Sequence, residues 1–285
     1  MGLFRAIPRF VSFINTNFKT VLLLIALFFV FIGLYAPDGK EPNLAKLYLD
    51  KPIFNSTLVA SQIEAIKKID TIQGVLLVID SPGGSVSASI EAADMIKELA
   101  QYIPVVAYVR GSMASGSYYA GMYADEIIAN RGSMIGSIGV ILSAFNIEEL
   151  LANLGIKEQV LKMGKYKEVG TIMRAWNENE REFLSNFLHE QYEMFVNDVK
   201  LARKDKLHTD PIHFAEGKIF NAKTALELGL IDKVGSMQEA IESLKEKAQV
   251  QNPIWLEKDR IDVYLQRLED SLISKIVSFA FLYNR

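Results

Sequence analysis

Two short apolar runs, GVLLVID at residues 74–80 and VVAYV at 105–109, each lead into a cluster of glycine and serine and then into an amphipathic stretch. Continuous runs of Val, Leu and Ile bounded by turn residues read as strands buried on both faces. Such strands need helices above and below them, which restricts the chain to a layered α/β fold. The same rhythm continues on either side. LAKLYLD (44–50), EIIA (126–129), SIGVIL (137–142) and EQVLKM (158–163) read as strands. TLVASQIEAIKKID (57–70), SASIEAADMIKELA (87–100), ASGSYYAGMYAD (114–125) and IEELLANLG (147–155) read as helices. Strands and helices alternating at this pitch predict a largely parallel sheet. A long charged helix is expected over 178–206 and another reaching residue 249, with GKIFNAKTALELGLIDKVGS between them read as packing and Gly229 as a helix end.

The N-terminus has a different character. VLLLIALFFVFIGLYA, residues 21–36, holds no charged or amide side chain, and Arg5, Arg9 and Lys19 precede it without any acidic residue. That is close to the ~17–25 apolar residues that span a bilayer. The positive flank would keep the first 19 residues in the cytoplasm and export the rest. The expectation is a single-pass anchor over 20–36 in the inner (cytoplasmic) membrane with an extracytoplasmic domain, a cleaved signal peptide being the rival. A linker (37–44), a catalytic domain (45–249) and a helical tail (250–285) would follow. In the tail Ile261, Leu265, Leu268, Leu272, Ile276 and Phe279 recur at helical spacing, as a packing seam or a membrane-surface helix does.

Composition narrows the chemistry. Net charge is −3 and no long basic stretch occurs, so sequence-independent nucleic-acid binding is excluded as a main function. There is no cysteine, hence no disulfide, thiolate metal site or cysteine nucleophile. Neither a cofactor nor a metal is called for. HEQYE (189–193) begins like a zinc-protease helix, but Glu193 stands where the second histidine is needed.

Two small-residue turns remain. SPGG (81–84) closes one buried strand, where glycine lets a substrate approach main-chain N–H groups. ASGSYY (114–119) closes the next and offers Ser115 at a strand-to-helix junction, with Ser112 and Ser117 as competitors. Ser117 is expected to rotate away along the helix. A second donor from SPGG beside the Gly116 N–H would form an anion hole. A serine nucleophile needs a base, yet His189, His208 and His213 all lie far downstream. Lysine serves when burial lowers its pKa from about 10.4, and Lys162, Lys165 and Lys167 are all candidates.

DSPGGSVSAS, SMASGSYYAG, GSIGVI and GKYKEVGTIMR, in that order, resemble signal peptide peptidase A, the membrane-anchored protease IV group, over about residues 45–240. The resemblance implies a ClpP/crotonase-like spiral of β-β-α units after an N-terminal transmembrane helix. It implies a serine endopeptidase with Ser115 as nucleophile, Lys167 as base, Ser137 positioning that lysine, and the Gly83 and Gly116 N–H groups as oxyanion hole. It further implies signal-peptide remnants and other apolar peptides as substrates, and a homo-oligomer of the short, single-domain type, an octamer being one expected size. Ser117, Met113 and Glu168 depart from the family's usual glycine, alanine and aspartate, and none of these changes removes a catalytic group. Arg174 is expected in a structural salt bridge, and Tyr118 and Tyr119 in packing or lining the cleft. A crotonase-type acyl-CoA enzyme and a non-catalytic membrane scaffold are the alternatives that the shared fold leaves open.

Overall fold

The computed structural model describes residues 16–35 and 41–256, which divide into two units at Glu41/Pro42. In the first unit, helix α1 (Phe18–Tyr35) has 18 residues. At ~1.5 Å per residue that is about 27 Å, against a hydrocarbon core of about 30 Å. Among the described residues no helix is long and apolar enough to cross a membrane. The apolar run thus forms the expected helix, whereas an anchor is not shown. Residues 1–15, 36–40 and the tail stripe of 261–279 lie outside the described residues.

The second unit is built on a sheet ordered β1 (Leu44–Leu49), β2 (Gly74–Ser81), β3 (Val105–Ala114), β4 (Glu126–Ala129) and β7 (Lys233–Val234), all parallel. β5 (Met134–Gly136) pairs with the far end of β3, and β6 (Ile219–Asn221) runs antiparallel to β5. Side chains alternate across the sheet, and the apolar runs are continuous because each face has its own core. Val75, Leu77, Ile79, Val105, Ala107 and Val109 face the larger core. That core includes Ile63 of α2 (Thr57–Lys67), Ile96 of α3 (Val86–Ala100) and Val199 of α6 (Glu178–Arg203). Leu76, Val78, Val106 and Tyr108 face the smaller one, closed by Ala240 and Leu244 of α9 (Met237–Lys247). Capping boxes set both late helices: Asn177 with Glu180 starts α6, and Ser236 with Glu239 starts α9.

β3 runs five residues past the apolar stretch that marks it in the sequence. Its first half pairs with β4 and its second half with β5, so one strand carries the chain from the core to the sheet's rim. The register against β2 shifts between Ile79 and Ser81, so that Ser81 faces Met113. Asp80 fills the resulting bulge: its carboxylate accepts from the Ser112 N–H at 3.0 Å and from Arg110 Nε at 3.3 Å.

Three sequence expectations change. The strand expected at SIGVIL lies just upstream as β5, and the chain from Ser137 to the start of α5 (Glu148–Asn153) has no regular structure. EQVLKM forms no strand, since no sheet edge lies beside it; Leu161 and Met163 are fully exposed instead. The helix after Ser115 is the single short α4 (Gly116–Gly121).

The C-terminal end of α6 is locked to the sheet by Arg203, which is 1% exposed. Its Nε donates to Gly229 O at 3.0 Å, just beyond α8 (Ala222–Glu227), and its other nitrogens reach Asp232 at 3.1 and 3.0 Å. Asp232 also accepts the Ile127 N–H at the start of β4. Burial alone would raise the Asp232 carboxyl, but Arg203 and Lys206 outweigh it and hold it below its ordinary range. Removing one partner of such a buried pair strands the other. Arg203→Ala is expected to lose about 3 kcal/mol of stability, read from the midpoint of urea unfolding; a change within error would show that the pair does not hold the helix.

Candidate active site

Ser115 sits between β3 and α4 with φ 52° and ψ −123°, backbone angles that a side chain rarely tolerates. Two hydrogen bonds hold it there: its N–H donates to Gly136 O at 2.8 Å, and its carbonyl accepts from the Tyr119 N–H at 3.0 Å. Such strain costs about 1–3 kcal/mol and persists only where the surroundings over-determine it. Ser117 is one of those surroundings. Fully buried, its hydroxyl donates to Ser81 O at 2.6 Å and accepts the Ala114 N–H at 2.8 Å, joining the ends of β2 and β3. It therefore turns away from the cleft, as its helical position predicts. Ser112 lies within the part of β3 that pairs with β5.

The SPGG turn packs against Ser115 by backbone alone. A Cβ on Gly83, whose φ is +97°, would stand 2.6 Å from the Gly116 nitrogen and 2.7 Å from Ala114 O. A Cβ on Gly116 would strike Ser89 Oγ and stand 3.0 Å from the Gly84 nitrogen. The two turns thus meet as expected, with one difference in the donors. Gly83 N–H points back to Ser81 Oγ at 3.2 Å, whereas Gly84 and Gly116 line the cleft. Gly116 is the first residue of α4, a position whose N–H has no partner within its own helix. Gly84 is a site residue that the sequence reading missed, although the GG doublet announced it.

The cleft at Ser115 is small, with a cavity volume of about 20 Å³. Val86, Tyr119, Gly139 and Val140 form part of its lining. Its far wall comes from α6, through Gln191, Met194 and Phe195, which the sequence gave no reason to place there. The Tyr119 ring lies 4.7 Å from that of Phe195, and its hydroxyl donates to Asp198. Burial, then that hydrogen bond, pushes the Tyr119 phenol well above its ordinary range. Tyr118 packs instead, donating to Leu230 O at 2.9 Å.

Ser137 is half-buried with φ 50°, its N–H donating to Lys218 O at 2.6 Å, two residues before Gly139 of the cleft. Lys167 is exposed and is not among the residues lining the cleft. Lys162 pairs with Glu168 and Lys165 lies over the Tyr166 ring. Among the described residues, Lys167 is the one of the three lysines with no such partner. Its segment is tied to the start of α6: Arg174 contacts Glu168 at 3.2 Å and grips Glu180 at 2.9 and 2.8 Å. Arg174 is thus the structural residue expected. Glu180 stands eleven residues before Gln191 on the same helix, about 16 Å along its axis, so the tie joins the lysine segment to α6 well before the residues that line the cleft. His189 lies exposed on α6 beside Glu193 at 3.3 Å, as a charged helix face does.

The model of peptidase family S49 matches residues 97–251, more than half of the chain, and that of Clp protease matches 47–137. The chain belongs to peptidase family S49. The two matches overlap from α3 to β5, the stretch that carries Ser115. A protein of Methanocaldococcus jannaschii named as a protease is 39% identical over 67% of this chain and 61% of its own length. One of Synechocystis, also named as a protease, is 37% identical over 71% and 73%. A protein of Enterococcus faecium bearing the name signal peptide peptidase SppA is 32% identical over 74% and 60%. The chain thus spans about three fifths of the first and third of these relatives.

Two outcomes test this geometry. Glycine accepts the Ser115 backbone without strain, so Ser115→Gly is expected to be about 1 kcal/mol more stable than Ser115→Ala in urea unfolding; equal stabilities would show an unstrained turn. Glu180 is the second. Arg174, then the backbone at Asn177, lowers its carboxyl from 4.5 to about 2. A depressed carboxyl stabilises fully above its unfolded value and loses that contribution as pH falls through the folded one. Protection factors of the amides across 165–180, which remove the intrinsic pH dependence of exchange, are expected to fall between pH 4.5 and about 2, and to be lowered already at pH 7 in Arg174→Gln. Identical exchange in both proteins at pH 7 would remove the tie.

Proposed function

We propose that this S49 chain is a serine endopeptidase acting through a Ser115–Lys167 pair. What carries the reading is Ser115 itself, a strained serine set where two glycine turns expose backbone donors beside an apolar cleft. In the reaction, the uncharged Lys167 amine takes the proton of Ser115 Oγ as that oxygen bonds to a peptide carbonyl carbon. The carbonyl oxygen becomes an oxyanion, stabilised by the Gly116 N–H and a second donor from the SPGG turn, Gly84 by its place in the cleft or Gly83 by resemblance. The carbon–nitrogen bond breaks, Lys167 returns the proton to the leaving amine, and an acyl ester on Ser115 remains. Water, deprotonated by the same lysine, then attacks the ester carbon, the bond to Ser115 Oγ breaks, and the lysine returns the proton to that oxygen as the acid leaves. Ser137 would hold the amine in place.

The pair closes, on this reading, when copies of the chain associate. Lys167 stands outside the cleft in the single chain, and the segment around it exposes Ile141, Phe145, Leu161 and Met163, which association would cover. A homo-oligomer of S49 chains, anchored by the N-terminal apolar run with its catalytic domain on the extracytoplasmic side, would meet apolar peptides such as signal-peptide remnants where they are released. The apolar cleft and α1 support that substrate class.

Cleavage of casein and of a signal peptide by the full chain in detergent tests the proposal. Ser115→Ala and Lys167→Ala are each expected to lower kcat/KM by at least about a thousandfold with folding retained. Specific activity is expected to fall on dilution below the assembly concentration. Full activity in either variant overturns the pair, and thioester turnover that survives Ser115→Ala favours acyl-CoA chemistry instead.

A further inference from the structure

The wall of the cleft opposite Ser115 comes from one face of α6. Gln191, Met194, Phe195 and Asp198 follow at i, i+3, i+4 and i+7, the spacing that brings side chains onto one helical stripe. The first three line the cleft, and the fourth accepts the hydrogen bond of Tyr119, which lines it from the nucleophile's own helix. Phe195 is 4% exposed and packed at a tilt against the Tyr119 ring, and its neighbours Val196 and Val199 lie in the core. The floor of the cleft is therefore fixed. Met194 is half-buried, unbranched and able to move, and it stands at the cleft between that floor and solvent.

From this arrangement we infer that Met194 sets the size of the side chain accepted next to the scissile bond. The inference rests on the serine-peptidase reading and adds the substrate feature selected. The cleft begins at Ser115, so the side chain it takes is that of the residue whose carbonyl is attacked. With a cavity volume of about 20 Å³ the cleft is far smaller than a usual ligand site, and its apolar lining has room, as it stands, for little more than a methyl group. Tyr119 and Phe195 cannot retreat while the Tyr119–Asp198 bond joins α4 to α6. Alanine therefore fits as the cleft stands, valine requires Met194 to shift, and phenylalanine requires it to leave. In an apolar pocket a single methylene changes selection by about 10–200-fold, so the expected discrimination is large.

The test is a peptide series differing only at that residue, with alanine, valine, leucine or phenylalanine, cleaved by the full chain. The native protein is expected to favour alanine and valine over phenylalanine at least tenfold in kcat/KM. Met194→Ala is expected to raise the phenylalanine-to-alanine ratio tenfold or more, mainly through KM. Met194→Phe is expected to lower valine relative to alanine. Binding of the same peptides to the Ser115→Ala protein, read by fluorescence anisotropy, is expected to follow the same order and to shift with Met194. A native preference for phenylalanine, or ratios unchanged in both Met194 variants with native circular dichroism, overturns the inference while leaving Ser115 as nucleophile. Binding that follows Met194 in a protein whose cleavage does not need Ser115 supports the pocket and overturns the serine reading.

Discussion

Two turns, one after β2 and one after β3, touch through their main chains, and the site depends on that contact. A methyl group on Gly83 would force the Gly116 nitrogen away, and one on Gly116 would collide with Ser89. Either would push the two turns apart at Ser115. The contact is prepared from within the sheet. Asp80 fills the β3 bulge and sets the register, and the buried Ser117 hydroxyl then ties the two strand ends together. The strain at Ser115 is stored in a backbone whose neighbours leave it no room to relax, which is the usual condition for keeping an unfavourable φ at a reactive residue.

Helix α6 connects this centre with the rest of the molecule in three places. Its first turn receives the Arg174 grip and so carries the lysine segment. Its middle forms the cleft wall and accepts the Tyr119 hydrogen bond at Asp198. Its last residue, Arg203, is buried against Gly229 and Asp232 at the far edge of the sheet. One stiff element therefore positions the Lys167 segment, shapes the pocket and is itself held at its end by the core. A shift of α6 along its axis would disturb all three together.

The strands at the centre were legible because burial on both faces leaves a continuous apolar run, as in GVLLVID and VVAYV. Where that signal weakens, the reading of the sequence weakens with it. β3 continues through RGSMA, polar and small residues that pair with β5 only because Asp80 organises the bulge. SIGVIL keeps only the bonds of Ser137 and Ile138 to Lys218 and Gly217 before leaving the sheet, and EQVLKM has strand-like composition but pairs with no strand. Ser115 was legible from a local pattern, and Ser117 was rightly set aside on helical geometry. Gly84 and the α6 wall were not, for different reasons: donor direction depends on a single peptide orientation, and Met194 reaches Ser115 from 79 positions away in the chain.

The exposure of the lysine segment bears on why the site is divided in this way. Leu161, Met163, Ile141 and Phe145 have nearly their whole surface in water, an arrangement unfavourable by about 25 cal/mol for each Å² of apolar area that could be buried. Covering them would also strip water from the amine among them, and desolvation favours the uncharged form that can accept a serine's proton. Association and activation of the base would then share one driving force. In the proposed mechanism a lone chain, with Lys167 exposed and outside the cleft, would hold the serine apart from its base. Under the proposed reading the newly made protease stays inactive until its apolar segment is buried, which limits hydrolysis to the place where the assembly forms.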